Sequence, residues 1–317
     1  MQNIWLVLVS LFFYAWGEPR LVLLMLLSIV MNYIFGLWID RRRGDTVKEK
    51  GIIVLMLFYN LSLLFVFKYM NFVCGILGLE LSGWNITLPI GISFYTFQAI
   101  SYVIDVYRGQ GEVQKNPLNV ALYIAFFPQL IAGPIVRYQT IADQIEHRKE
   151  SWSDFSDGVE RFIIGLSKKL ILANSFAPIA DYAFGHISEL SGVSAWIGAL
   201  CYTFQIYFDF SGYSDMAIGL GKMFGFQFLE NFRYPYLSVS VSEFWRRWHI
   251  SLGSWFRDYV YIPLGGSRVK TKVRLIGNLF VVWTLTGIWH GANWTFLLWG
   301  LWYFLLLTFE KMTGIPQ

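Results

Sequence analysis

The chain has 317 residues, of which 56% are hydrophobic and 15% charged, with a mean hydropathy of +0.48, far more apolar surface than one soluble core of that length hides. It therefore reads as a protein that crosses a membrane several times, and a net charge of only +4 leaves a nucleic-acid partner without support. Cys74 and Cys201 are its two cysteines, far apart and both in apolar surroundings, which argues against a disulfide framework or a thiolate metal cluster.

In chain order, residues 4–16 are apolar but short for a crossing, which takes about 20 residues. Residues 21–39 suffice, and Arg41, Arg42, Arg43, Lys48 and Lys50 behind them mark a cytoplasmic loop. Residues 52–72 then run outward, the weakly charged stretch around Glu80 and Trp84 falls on the far side, and residues 88–107 return to deliver Arg108 and Lys115 inside. Asn85-Ile-Thr87 forms a sequon that arises as easily by chance.

Residues 117–136 break this alternation. They are apolar, but Arg108 and Lys115 before them and Arg137, Arg148 and Lys149 after them put both ends on one side, and Pro128, Gly133 and Pro134 interrupt any helix. A re-entrant or broken segment is expected, and such backbone must be covered by protein or line a cavity. Residues 161–184 are an imperfect span with Lys168 and Lys169 in their first half, residues 192–209 a fair one, and residues 216–274 a mixed cytoplasmic surface. The tract 275–309 carries Gly287, His290, Gly291 and Asn293 near its middle. Each half is about 15 to 18 residues, near or below a full crossing, so a turn or helix break is expected at His290.

The chemistry-bearing residues fall into three groups. Ser240-Val-Ser-Glu243 has the pattern of a capping box, which predicts a helix carrying Trp245, Arg246, Trp248 and His249 in its first turns. From there to Arg274 stand seven basic residues, Arg246, Arg247, Arg257, Arg268, Lys270, Lys272 and Arg274, against the single acid Asp258. They imply an anionic partner on the cytoplasmic side, or simply topology and contact with anionic lipid headgroups. His290 lies in an apolar tract, where an imidazole is costly unless it works; near neutral pH it takes a proton from a hydroxyl and returns one to a leaving group. The bland alternative is a buried ring satisfied by Thr286 or Asn293 one helical turn away. Asp105, Asp209 and Asp215 sit in apolar tracts too, either as a polar tunnel or ion path or as a structural network, with Arg233, Arg246 and Arg247 as candidate partners. His147 and His186 read as surface residues. No serine-nucleophile elbow, phosphate-binding glycine loop or metal-ligand spacing is present.

Four blocks, Phe126-Phe-Pro-Gln-Leu-Ile-Ala-Gly-Pro134, Tyr207-Phe-Asp-Phe-Ser-Gly-Tyr-Ser-Asp215, Phe244-Trp-Arg-Arg-Trp-His249 and Trp289-His-Gly291, resemble the membrane-bound O-acyltransferase (MBOAT) family in its order and nearly end to end. Gln129-Leu-Ile-Ala-Gly-Pro-Ile-Val-Arg137 makes the chain similar to the alginate O-acetylation branch more than to the D-alanyl teichoic-acid transferases. The resemblance implies an all-α multipass ring of helices with re-entrant segments and a central tunnel, formed as a single transmembrane domain over residues 1–317 that is short at both ends relative to the family. It implies a bacterial cytoplasmic-membrane enzyme that takes an acyl group, acetyl above all, from acetyl-coenzyme A or another acyl thioester or acyl carrier, with no bound cofactor. The acceptor is then a hydroxyl of an extracytoplasmic polysaccharide or a secreted relay protein. His290 matches the family's catalytic histidine and His249 its second one. His290 then serves as general base, with His249 orienting the donor or supplying a hydrogen bond to the oxyanion. Arg246, Arg247, Arg268 and Trp248 are expected at the donor, and Asp209, Asp215 and Asn293 along the tunnel. The rival readings are a D-alanyl transferase of the teichoic-acid type, an ion-coupled transporter, which predicts internal repeats with matching broken helices that the chain lacks, and a non-catalytic scaffold for a secreted partner.

Overall fold

The computed structural model describes residues 2–79 and 86–314, so the expectations for Glu80, Trp84 and Asn85 lie outside the described residues. Among those residues there is no strand. The chain opens with α1 (Gln2–Gly17), α2 (Val22–Arg41) and α3 (Thr46–Leu64), the last continued by a π-helical turn (Phe65–Tyr69) into α4 (Met70–Ile76). Next come α5 (Ile92–Arg108), α6 (Pro117–Ala125), the single turn α7 (Phe127–Leu130) and α8 (Tyr138–His147). Then α9 (Trp152–Ser167) passes through a second π turn (Lys168–Ala173) into α10 (Asn174–Gly185), and α11 (Gly192–Met223) packs back along both. Two short helices, α12 (Val241–Arg247) and α13 (Ile250–Phe256), lead by a third π turn (Arg257–Tyr261) to α14 (Lys272–His290) and α15 (Trp294–Thr313).

Three helical stretches, Val22–Arg41, Thr46–Ile76 and Trp152–Gly185, are long and apolar enough to cross a membrane, and Gln2–Gly17 is a shorter apolar helix. Trp5, Leu23, Phe58, Leu170 and Trp196 are exposed on these elements and on α11. So large an uncovered apolar surface fits contact with lipid. The opposite environment surrounds α5 and α6. From Tyr95 to Val103 every side chain of α5 is buried, as is every residue of α6 from Asn119 to Ala125. The expected crossing at residues 88–107 is thus a 17-residue helix enclosed by protein.

The broken segment forms where the prolines demand it. At Phe126 the backbone turns extended, with ψ 112°, and Pro128 withholds a backbone donor. Side chains repair the interrupted ladder: Gln129 donates to the Tyr123 carbonyl at 2.7 Å, and the Phe127 N–H donates to Ser10 at 3.2 Å. Residues 133–136 continue buried, as non-helical backbone remote from water must be.

The pairing of α9 with α11 explains the imperfect span. A Cβ on Gly165 would stand 2.5 Å from the Gly212 carbonyl oxygen, and one on Gly158 2.7 Å from that of Gly219. Small residues let the two backbones touch. The π turn then presents consecutive lysines to two acids: Lys168 reaches Asp215 at 2.5 Å and Lys169 pairs with Asp209, while Arg161 joins Asp215 at 2.6 Å. Arg233, Arg246 and Arg247, the partners expected from the sequence, do not pair with these acids; their cations come from the neighbouring helix, a register the sequence does not reveal. Asp105 is buried and accepts from the Tyr259 hydroxyl at 2.7 Å and the Gln139 N–H at 3.0 Å, a structural network.

Candidate active site

α12 begins as the capping box predicts. Ser240 accepts from the Glu243 N–H at 3.0 Å, and the Glu243 carboxylate accepts from the Val239 N–H at 2.9 Å. That N–H, with the Arg247 guanidinium at 2.6 Å, holds the Glu243 carboxyl below the usual carboxylate range. A second acid joins from α15: Glu310 accepts from the Val241 N–H at 2.5 Å and from the Ser242 N–H and hydroxyl at 2.9 and 2.7 Å. A carboxylate is stabilised there by the unpaired amides and the helix dipole.

The helix is shorter than expected. It ends at Arg247, Trp248 is extended, and His249 sits at φ 46° before α13 starts. His249 is therefore at a kink between two helices instead of within the first turns of one. A non-glycine residue in the left-handed region costs on the order of 1–2 kcal/mol, and such strain persists only where the surroundings enforce it. Two backbone hydrogen bonds do so, from Ile250 N–H to the Asn231 carbonyl at 2.9 Å and from Arg233 N–H to the Arg247 carbonyl at 2.8 Å.

His249 is 3% exposed, and the four sequence blocks meet around it. Its Nδ1 lies 3.1 Å from Asn231 Oδ1, which also accepts from the Ser251 N–H and hydroxyl, while Asn231 Nδ2 donates to Ser214 of the second block at 2.9 Å. Ser251 in turn accepts from the Ile135 N–H, just after the first block, at 3.0 Å. Phe210 stands edge-on to the imidazole with centroids 4.8 Å apart, and Trp289 of the last block lies 6.2 Å away. His249 Nε2 has no hydrogen-bond partner.

The last helix turn before the tract's midpoint holds the other histidine. α14 ends at His290, Gly291 is extended, and Asn293 caps α15 by accepting from the Thr295 N–H at 3.1 Å, so the expected break is present. The final carbonyls of α14, orphaned by its end, find donors on the first π turn. Lys68 donates to the Trp289 carbonyl and, at 2.9 Å, to Ser93, and Tyr69 donates to the Ile288 carbonyl at 2.8 Å. Thr286 donates to the Val282 carbonyl, so neither it nor the capping Asn293 is spent on His290. The His290 ring instead rests among Trp299 at 4.8 Å, Trp289 at 5.1 Å and Phe296 at 6.1 Å.

A cavity of about 460 Å³ opens beside His249, walled by Trp245, Trp248, Phe256, Trp283 and Thr286, with the cations Arg246, Arg257 and Lys311 among its lining residues. It collects part of the predicted set. His249, Trp248 and Arg246 line it; His290 lies behind Trp289, outside the lining. Arg247 is committed to Glu243 and faces a separate concavity with Arg233 and Tyr234. Arg268 is exposed and is not among the residues lining this cavity, nor are Asp209, Asp215 and Asn293, which serve helix pairing and capping. His147 and His186 are exposed as expected, and Cys74 and Cys201 are free thiols.

Several residues of this arrangement carry no local sequence signal. Asn231 sits in a loop that gives no periodicity, and Lys311 and Glu310 are brought in by the packing of α15 on α12. Arg257 belongs to the basic cluster but is not distinguishable there from its neighbours. Lys68 did have a signal, since a lone lysine inside residues 52–72 demands a partner.

Comparison with known proteins identifies the family. Residues 11–314 match the family described as MBOAT, the membrane-bound O-acyltransferase family. The chain is 46% identical over 322 aligned residues to "Probable alginate O-acetylase AlgI" of Azotobacter vinelandii, covering 99% of this chain and 64% of that protein. It is 39% identical to a peptidoglycan O-acetyltransferase of Helicobacter pylori, over 98% of this chain and 64% of that one. With a teichoic acid D-alanyltransferase of Bacillus subtilis it shares 33% identity over 72% of this chain and 61% of that protein. The chain spans somewhat less than two thirds of the length of each of these relatives. On the match to nearly its whole length, this all-helical membrane chain belongs to the membrane-bound O-acyltransferase family.

Proposed function

We propose that the chain carries the transfer site of a multipass O-acyltransferase of the bacterial cytoplasmic membrane. It moves an acetyl group from a cytoplasmic thioester, acetyl-coenzyme A, to a hydroxyl of an extracytoplasmic polysaccharide or of a relay protein. The observation that carries this reading is the cavity in which an imidazole with an unpartnered Nε2 shares its walls with three cations, one tryptophan away from a second imidazole at a helix break. The cations suit the donor's phosphates, and the aromatic walls suit its apolar arm. The higher identity to O-acetylases than to the D-alanyltransferase favours acetyl over D-alanyl transfer.

In the proposed step His290 takes the proton of the acceptor hydroxyl as its oxygen attacks the thioester carbonyl. The tetrahedral oxyanion collapses, the carbon–sulfur bond breaks, and the sulfur takes the proton back from the imidazolium. Base catalysis of this kind contributes about 10² to 10⁴ in rate, with positioning supplying more. Arg246, Arg257 and Lys311 take the place of the expected trio Arg246, Arg247 and Arg268 at the donor.

The test uses the full chain in liposomes, labelled acetyl-coenzyme A, and alginate and peptidoglycan oligosaccharides as acceptors. His290→Gln is expected to bind the donor as the parent does while transfer falls by about 10² or more. Parental turnover by this variant would remove His290 from its role.

A further inference from the structure

We infer that Asn231 is a positioning residue that locks His249 with its proton on Nδ1, so that Nε2 offers the cavity a lone pair and accepts a hydrogen bond from substrate. The orientation of the Asn231 amide is set by chemistry. Its Oδ1 lies 3.2 Å from the Ser251 backbone nitrogen, which can only donate, and 2.8 Å from the Ser251 hydroxyl; its Nδ2 lies 2.9 Å from Ser214 Oγ. Turning the amide over would set its N–H groups against the Ser251 N–H.

The Ser251 hydroxyl has one proton to give. Its oxygen already accepts from the Ile135 N–H, and the proton goes to Asn231 Oδ1 at 2.8 Å in preference to His249 Nδ1 at 3.4 Å. No donor is then left for a lone pair on Nδ1, and such a lone pair would face the Asn231 oxygen at 3.1 Å. The repulsion disappears only if Nδ1 carries the proton and donates it. A neutral imidazole protonated there has its free lone pair on Nε2, the atom that is buried, unpartnered and on a residue lining the cavity.

This revises the part that sequence alone suggests for His249. In this tautomer the neutral ring cannot donate to an oxyanion through Nε2; it receives an N–H from the donor arm. Asn231 is fully buried, and by holding Ser214, Ser251 and His249 together it ties the ring's aim to the packing of α11 and α13. The catalytic consequence rests on the acyl-transfer reading, whereas the tautomer does not.

The experiment is nitrogen NMR of the full chain in nanodiscs with ¹⁵N-labelled histidine near neutral pH, the His249 signals being those lost in His249→Gln. The parent is expected to show a protonated Nδ1 and a bare Nε2. Asn231→Asp, which keeps the accepting oxygens, should retain that pattern; Asn231→Leu should relax toward the proton on Nε2. In the transfer assay Asn231→Leu should lower kcat/KM for the donor at least about tenfold, and Asn231→Asp should recover part of the loss. A proton on Nε2 in the parent overturns the inference outright, whether or not the leucine variant folds, and so does an unchanged tautomer in Asn231→Leu. A parent chain that shows the Nδ1 tautomer yet transfers no acetyl would instead refute the acyl-transfer reading.

Discussion

The two histidines are held by opposite means. Around His249 the work is done by side chains drawn from four distant stretches, with Asn231, Ser214 and Ser251 linking α11, the broken segment and α13. At His290 it is done by the end of a helix, whose loose carbonyls are tied by Lys68 and Tyr69 and whose neighbours are almost all aromatic rings. A hydrogen-bonded web fixes both the aim and the protonation of a ring. A helix terminus packed in aromatic faces fixes its place through the backbone and ring contacts. Two imidazoles near one tryptophan are thereby given different chemistry.

The contrast breaks most severely at a largely buried ion pair close in sequence to the web. Arg137, two residues beyond Ile135, pairs with Asp258, and their side chains are 14% and 16% exposed. Asp258→Ala strands that arginine, and removing one partner of a buried pair is costly. A loss of about 3 kcal/mol in denaturant or thermal unfolding is expected, with transfer falling alongside because Arg257 at the cavity loses the same partner. A variant of unchanged stability would show that this ion pair does not hold the broken segment to the π turn.

A smaller effect is expected at the helix break. A Cβ on Gly287 would stand 2.6 Å from the Phe296 carbonyl oxygen and 3.3 Å from Gly300 Cα, so Gly287→Ala forces α14 and α15 apart just below His290. Overpacking of this kind costs about 1–3 kcal/mol. Transfer should fall more than stability does, since the displacement is at the ring proposed as general base, and the nitrogen pattern of His249 should not change. Loss of the His249 tautomer in this variant would show that the two settings are coupled after all.

The sequence revealed the second setting better than the first. Glycines, a histidine and an asparagine in the middle of an apolar tract too long for one crossing announce a helix break, and Asn293 caps the new helix as its type suggests. Pro128 and the basic residues on both sides announce the broken segment in the same way. These are local signals of backbone geometry. The web at His249 is long-range: Ser214 to Asn231 and Asn231 to Ser251 depend on how α11 and α13 meet, and nothing in the residue order specifies it. The same limit explains the acids. Asp209 and Asp215 looked like a tunnel lining because charge at membrane depth needs a partner, and the partner came from a π turn that places Lys168 and Lys169 on two neighbouring acids. Arg247 and Arg268, expected at the donor, are not among the residues lining the cavity, while Lys311 reached it through the packing of the last helix.

The central claim, that the cavity beside His249 receives the thioester, is tested most directly by chemical protection. Ser254 lines the cavity and is half-buried; Ser254→Cys in a chain whose Cys74 and Cys201 are replaced by serine places one thiol on the wall. With a small maleimide applied to the chain in liposomes, acetyl-coenzyme A is expected to slow labelling of that thiol, and free acetate is not. A labelling rate unchanged by acetyl-coenzyme A at concentrations that support transfer would contradict the claim.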